Sequence, residues 1–129
     1  MSNLPPPDQS AILQFWFDEL TPQQHFTKDA LLDAAIARRF GATLAAAARG
    51  ELFGWRSTAR GRLAEILVLD QFSRNIYRDT PLTFAQDGMA LVLAQELVAS
   101  GRASELPPNQ RAFAYMPYMH SESRLVQAQ

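Results

Sequence analysis

Apolar residues recur every three or four positions along most of the chain, the spacing of helices that bury one face. Asp8 stands where an N-cap belongs, ahead of Ile12, Phe15, Trp16 and Leu20. Thr21-Pro22 closes this first helix. Thr27 or Asp29 opens a second, in which Leu32, Ile36, Phe40, Leu44 and Ala48 return every four residues. Gly50 fits the C′ position after it, and Gly41 within it is expected to admit a close neighbour. A third helix is predicted from Ser57 or Thr58 to about Phe72. The fourth follows Thr80-Pro81 and ends at Gly101, with Phe84, Leu91, Leu93, Leu97 and Val98 as its apolar content. Pro107-Pro108 opens a fifth, Asn109 to Met116, which Pro117 is expected to interrupt. Ser121 is placed to cap a short last helix. The Pro-rich stretch 1–7 is expected to be loose.

No stretch alternates apolar and polar residues long enough to argue for a strand. The expected class is all-α, with about six helices. Short connections make these stacked antiparallel helical hairpins, the plan of α-solenoids, although no clean internal repeat is visible. A length of 129 residues fits one domain over 8–129.

The third helix holds the densest polar motif. It reads Leu63-Ala-Glu-Ile-Leu-Val-Leu-Asp70-Gln-Phe-Ser-Arg74-Asn75-Ile-Tyr-Arg78-Asp79. At 100° per residue, Leu63, Ile66, Leu67, Asp70 and Arg74 fall on one side, with Val68, Leu69 and Phe72 elsewhere round the barrel. A helix apolar nearly all round is expected to be central. Asp70 then lies in a core-facing patch, and a buried carboxylate without a partner is costly. Arg74, one turn on, is the obvious partner. One reading makes Asp70, Arg74 and Asn75 a satisfied network tying the following turn to the fold. The other makes the network the wall of a pocket for an anionic or peptide-like ligand, with Arg74 or Arg78 as the fork.

A second cluster is Arg111-Ala-Phe113-Ala-Tyr115-Met116-Pro117-Tyr118-Met119-His120-Ser121-Glu122. His120 with Glu122 is two thirds of a general-base arrangement, or two ligands of a metal site lacking a third. No metal and no cofactor is expected. Phe15-Trp16-Phe17 reads as core packing and Trp55 as a lid on the hydrophobic centre. His25 falls in a polar loop and carries no argument.

Composition narrows the classes. There are no cysteines, which removes disulfide scaffolds, thiolate metal sites and cysteine nucleophiles. Net charge is −1, so no global field is available to hold a nucleic acid. No apolar run approaches a membrane span, and Met1 to Pro7 lacks the form of a signal peptide. A cytoplasmic location is therefore expected. Gly-rich phosphate loops, Gly-x-Ser-x-Gly elbows and His-Glu-x-x-His pairs are all missing.

Several blocks together resemble one bacterial family. These are Phe15-Trp16-Phe17, Gly50-Glu51-Leu52 with Trp55, Leu69 to Arg78, Phe84-Ala85-x-Asp87, Tyr115-Met116-Pro117 and His120-Ser121-Glu122. In order and spread they resemble the domain-of-unknown-function family 924. The resemblance implies a helical, tetratricopeptide-like fold and no established activity. Two departures stand out: Ser73 lies where members of that family usually carry Pro, and members usually continue past the His-Ser-Glu block. A missing segment would leave an apolar helix face to be covered, and homodimerisation through the C-terminal face is the expectation.

Two functions compete. In the first, a binding or scaffold module grips a peptide or anionic small molecule through Asp70, Arg74, Asn75, Arg78 and Arg111, with Tyr115, Tyr118 and Phe84 as apolar contacts. In the second, a small hydrolase-like enzyme uses Asp70 or Glu122 as base, His120 as acid–base partner and Arg74 as an electrostatic clamp. That reading requires His120 to reach the Asp70 cluster or share a cavity with it. A family member that keeps only the fold is the remaining alternative.

Overall fold

The computed structural model describes residues 8–121 and 123–128, and among them the chain is all-α. The first helix, α1, spans 9–19, an α-helical start at Gln9–Leu13 passing into a π-helical stretch at Gln14–Glu19. Asp8 caps it by accepting from the Ala11 amide at 3.0 Å. Helix α2 is Ala30–Ala48, capped by Asp29 through the amides of Leu31 and Leu32. Gly50 follows with φ at +75°, the left-handed residue that ends a helix. Helix α3 spans 59–76, with α-helical Ala59–Leu67, a π stretch at Val68–Phe72, and a last turn at Ser73–Ile76. Thr58 caps it through the Gly61 amide. Helix α4 is Asp87–Ala99, α5 is Pro108–His120, and a short α6 is Arg124–Gln127. Tight turns at Phe53–Ser57, Pro81–Phe84 and Arg102–Glu105 join them.

Contacts along α3 give each helix its direction. Asp33 meets Asn75 while Phe40 stacks on Phe72, so α2 runs antiparallel to α3. Gln9 lies against Gly61 and Trp16 against Phe72, so α1 runs with α3. Arg62 pairs with Glu96 and Arg74 with Asp87, so α4 runs against it. Arg102, in the turn before α5, donates to the Ser57 carbonyl at 2.7 Å, and His120 ends α5 beside Asp70. Helix α5 therefore runs with α3. Successive helices alternate in direction, and α3 is the common neighbour of the other four.

Burial follows from that position. Leu63, Ile66, Leu67, Val68, Leu69 and Phe72 of α3 are all fully buried. Phe15, Trp16, Phe40, Phe72 and Phe113 form a chain of ring contacts across the core, with centroids 5.1–6.1 Å apart. Each such pair contributes about 0.5–1.5 kcal/mol beyond its area.

Two local expectations are corrected. Pro117 does not interrupt α5, which continues to His120 with Pro117 buried inside it. Its missing N–H costs one helical bond, and packing on α3 and α4 holds the turn regardless. Gly41 has no atom within 4 Å of where a Cβ would stand, so no close neighbour explains it. The close approach is instead at Gly61, where a Cβ would collide with the Trp55 carbonyl oxygen and the Gln9 side chain. No helix is long and apolar enough to cross a membrane among the described residues.

Candidate functional site

The π stretch of α3 sets up the site. A π turn widens the helix and displaces a carbonyl from its usual partner. Asp70 lies in this stretch, and its carbonyl oxygen accepts from the Arg74 guanidinium at 2.8 Å. The Asp70 side chain is buried, 1% exposed, so its charge depends on donors. Three N–H groups supply them. Gln71 Nε2 donates to Oδ2 at 2.9 Å, Arg74 Nη1 to Oδ1 at 3.2 Å, and His120 Nδ1 lies 2.8 Å from Oδ1.

An ionised carboxylate only accepts, so the His120 proton shared with Asp70 resides on Nδ1. That leaves Nε2 as the basic nitrogen of a neutral ring. His120 reaches Asp70 because α5 continues through Pro117 to its last residue.

Arg74 is held on two sides. Beyond Asp70, its Nη1 and Nη2 donate to Asp87 Oδ1 and Oδ2 at 2.9 and 3.0 Å. Its guanidinium also faces the Phe84 ring at 5.8 Å. Asp87 is the first residue of α4, where a carboxylate suits the positive helix end. Beside this network opens a cleft of about 600 Å³, lined by Arg74, Phe84, Asp87, Leu91, Pro117 and His120, and also by Gly88 and Ser121. Clefts of this size suit small molecules.

Asn75 and Arg78 form a separate cluster. Asn75 Nδ2 donates to Asp33 Oδ1 at 2.9 Å, and Arg78 Nε donates to Asp33 Oδ2 at 2.7 Å. The Asp33 carboxylate pushes the Arg78 pKa further up from an already high value. This cluster ties the start of α2 to the end of α3.

The guanidinium forks of this region are already paired within the chain. Arg74 is bound to two carboxylates and Arg78 to one. Arg111 spends Nη2 on the Leu106 carbonyl at 2.9 Å, closing the turn before α5. Nine residues separate it from His120 along α5, roughly 13 Å of helix, so it stands at the far end. Tyr115 lies outside the cleft too, in a smaller apolar pocket of about 360 Å³ with Val98, Tyr118 and Met119. Glu122 lies outside the described residues. No group of three His, Asp or Glu side chains able to hold a metal occurs among the described residues.

The chain as a whole has counterparts among known proteins. Residues 12–129 match the family described as bacterial protein of unknown function, DUF924. The chain belongs to this family. A solved structure described as a protein of unknown function, ATU0120 from Agrobacterium tumefaciens, is similar to this DUF924 chain at 37% identity with a TM-score of 0.88. That similarity covers 93% of this chain and 68% of the neighbour. No curated protein matches.

Two carboxylates of these clusters carried no role in the sequence. Asp87 stood only inside a motif block, and Asp33 in no motif. Both are acidic residues in the first turn of a helix, which is a common capping position and gave no reason to single them out. His25 is a third omission. Its ring stacks on Trp16 at 4.4 Å and meets Phe113 edge-on at 5.1 Å. Its Nε2 lies 2.7 Å from the Trp16 carbonyl oxygen. Burial lowers its pKa, partly opposed by that bond.

Proposed function

We propose that the cleft between α3, α4 and α5 binds a small organic molecule. The observation that carries this is His120, fixed by buried Asp70 at 2.8 Å, on the wall of a 600 Å³ cleft. A side chain held so firmly at a cleft wall is pre-organised to meet a ligand. Charge balance favours an uncharged or cationic molecule over an anionic one. Around Arg74 stand two carboxylates, Asp70 and Asp87, so no cation of the cluster is left uncompensated. Phe84, Leu91 and Pro117 supply the apolar contact.

A second reading has the network serve the fold alone. Its support is the same set of pairings, which tie α3 to α4 and α5. We also retain homodimerisation as a proposal. Val98, Tyr115 and Met119 form an exposed apolar strip on the α4–α5 hairpin, with Met119 68% exposed. A strip of that kind favours a partner.

Native mass spectrometry against a denatured control reads both points. A non-covalent small mass that Arg74→Ala or Leu91→Trp removes is the expected result for the cleft. A bare polypeptide supports the purely structural reading. A dimer that Met119→Glu converts to monomer is expected for the apolar strip, and a monomeric wild type would end that proposal.

A further inference from the structure

We infer that the cleft is catalytic, with His120 moving a proton in the hydrolysis of a small uncharged carboxylic ester and Asp70 as its positioning residue. The inference rests on the reading of the cleft as a ligand site. Its basis is the juxtaposition of three features. Asp70 accepts from Nδ1 and so fixes which ring nitrogen is basic. Nε2 has no protein partner among the described residues, and the ring lines the cleft. The remaining wall joins N–H donors to apolar surface.

The substrate class follows from the lining. Arg74 is already bound to two carboxylates, so a substrate anion finds no free counter-charge. An uncharged acyl compound meets no such conflict, and its apolar part has Phe84, Leu91 and Pro117 to rest on. The chain has no thiol, and Ser121 Oγ accepts from the Ser123 amide. Water is the proposed nucleophile.

In the first step the water oxygen bonds to the acyl carbon. Nε2 takes the water proton, and the carbonyl π pair moves onto oxygen. The N-terminal end of α4 at Gly88 lines the same cleft and stabilises that negative charge. In the second step the pair returns and the bond to the leaving oxygen breaks. The imidazolium gives its proton to that oxygen. Ester and water become acid and alcohol with no further reactant. The acid ionises, and Asp87 repels the carboxylate formed.

Hydrolysis of 4-nitrophenyl acetate tests the step. Binding of 4-nitroacetanilide, an uncharged and far less reactive amide analogue, tests the cleft separately through amide shifts at Gly88 and Leu91. The expected result is saturable hydrolysis by the wild type. His120→Gln should then lose roughly 100-fold or more in kcat while the anilide still shifts the Gly88 and Leu91 amides. Asp70→Asn should lose kcat with KM unchanged, because Asn turns an NH2 toward Nδ1 and leaves Nε2 protonated. If Asp70→Asn fails to fold, rescue of His120→Gly by added imidazole takes its place. Anilide bound with the ester untouched, or His120→Gln at full rate, would overturn the catalytic inference and leave the ligand site. Neither compound bound would overturn both.

Discussion

At Gly61 a side chain has nowhere to go, because backbone oxygen of Trp55 and the Gln9 side chain fill the space. Gly61→Ala should cost about 3 kcal/mol, the upper range for overpacking, since a carbonyl cannot swing aside. Gly41→Ala in α2 should gain about 0.5–1 kcal/mol, as open space surrounds it and alanine restricts the unfolded chain. Urea denaturation reads both, and equal signs would refute the contrast. From sequence only Gly41 was expected to have a close neighbour, and Gly61 was not singled out. A lone glycine in a helical pattern has two causes, and only tertiary contact separates them. His25 makes the same point. Its aromatic surroundings come from Trp16 and Phe17 on α1 and Phe113 on α5, distant in sequence. Because burial lowers its pKa, the unfolded chain takes up this proton first as pH falls. The stability given by neutral His25 is full above about pH 6.5 and is lost as pH falls from there toward the lower folded value. The thermal midpoint should fall between about pH 7 and pH 5, and His25→Gln should flatten that slope. Glu51 and Asp79, both lowered by their cationic partners, act in a more acidic window.

Among the elements, α3 was the most legible. Its continuous apolar content placed it at the centre, and Thr58, the observed cap, was one of two candidates. The π stretches were not legible, because a 100° step assumes one hydrogen-bond pattern throughout. Pro117 was read as a break because proline weakens an isolated helix. In α5 the packing outweighs that loss. Buried Glu65 also escaped notice, since its partner Arg56 sits nine residues back in the turn before α3. The pair is bidentate, with both contacts at 2.8 Å and the Glu65 side chain 1% exposed. Arg56→Ala would strand that carboxylate and should cost about 3 kcal/mol, visible as a lower urea midpoint. A change within about 0.5 kcal/mol would show that water replaces the guanidinium.

At the scale of the molecule, five long helices of alternating direction put the C-terminal end of α3, the start of α4 and the end of α5 side by side. Asp70 and His120 are 50 residues apart in sequence and 2.8 Å apart in space. Their residue types were visible as candidates, and the pairing was stated only as a requirement of the enzyme reading. Arg111 and Tyr115 were drawn into the same site because they share a motif with His120. Helical pitch instead spreads that motif along α5. The proposed site depends most on the state of His120. The chain has two histidines, so the imidazole spectrum of protein labelled with nitrogen-15 at histidine is simple to assign. At a pH where the ring is neutral, His120 should carry its proton on Nδ1 and show a free lone pair on Nε2. Asp70→Asn should move the proton to Nε2. A wild-type His120 protonated on Nε2 would contradict the account.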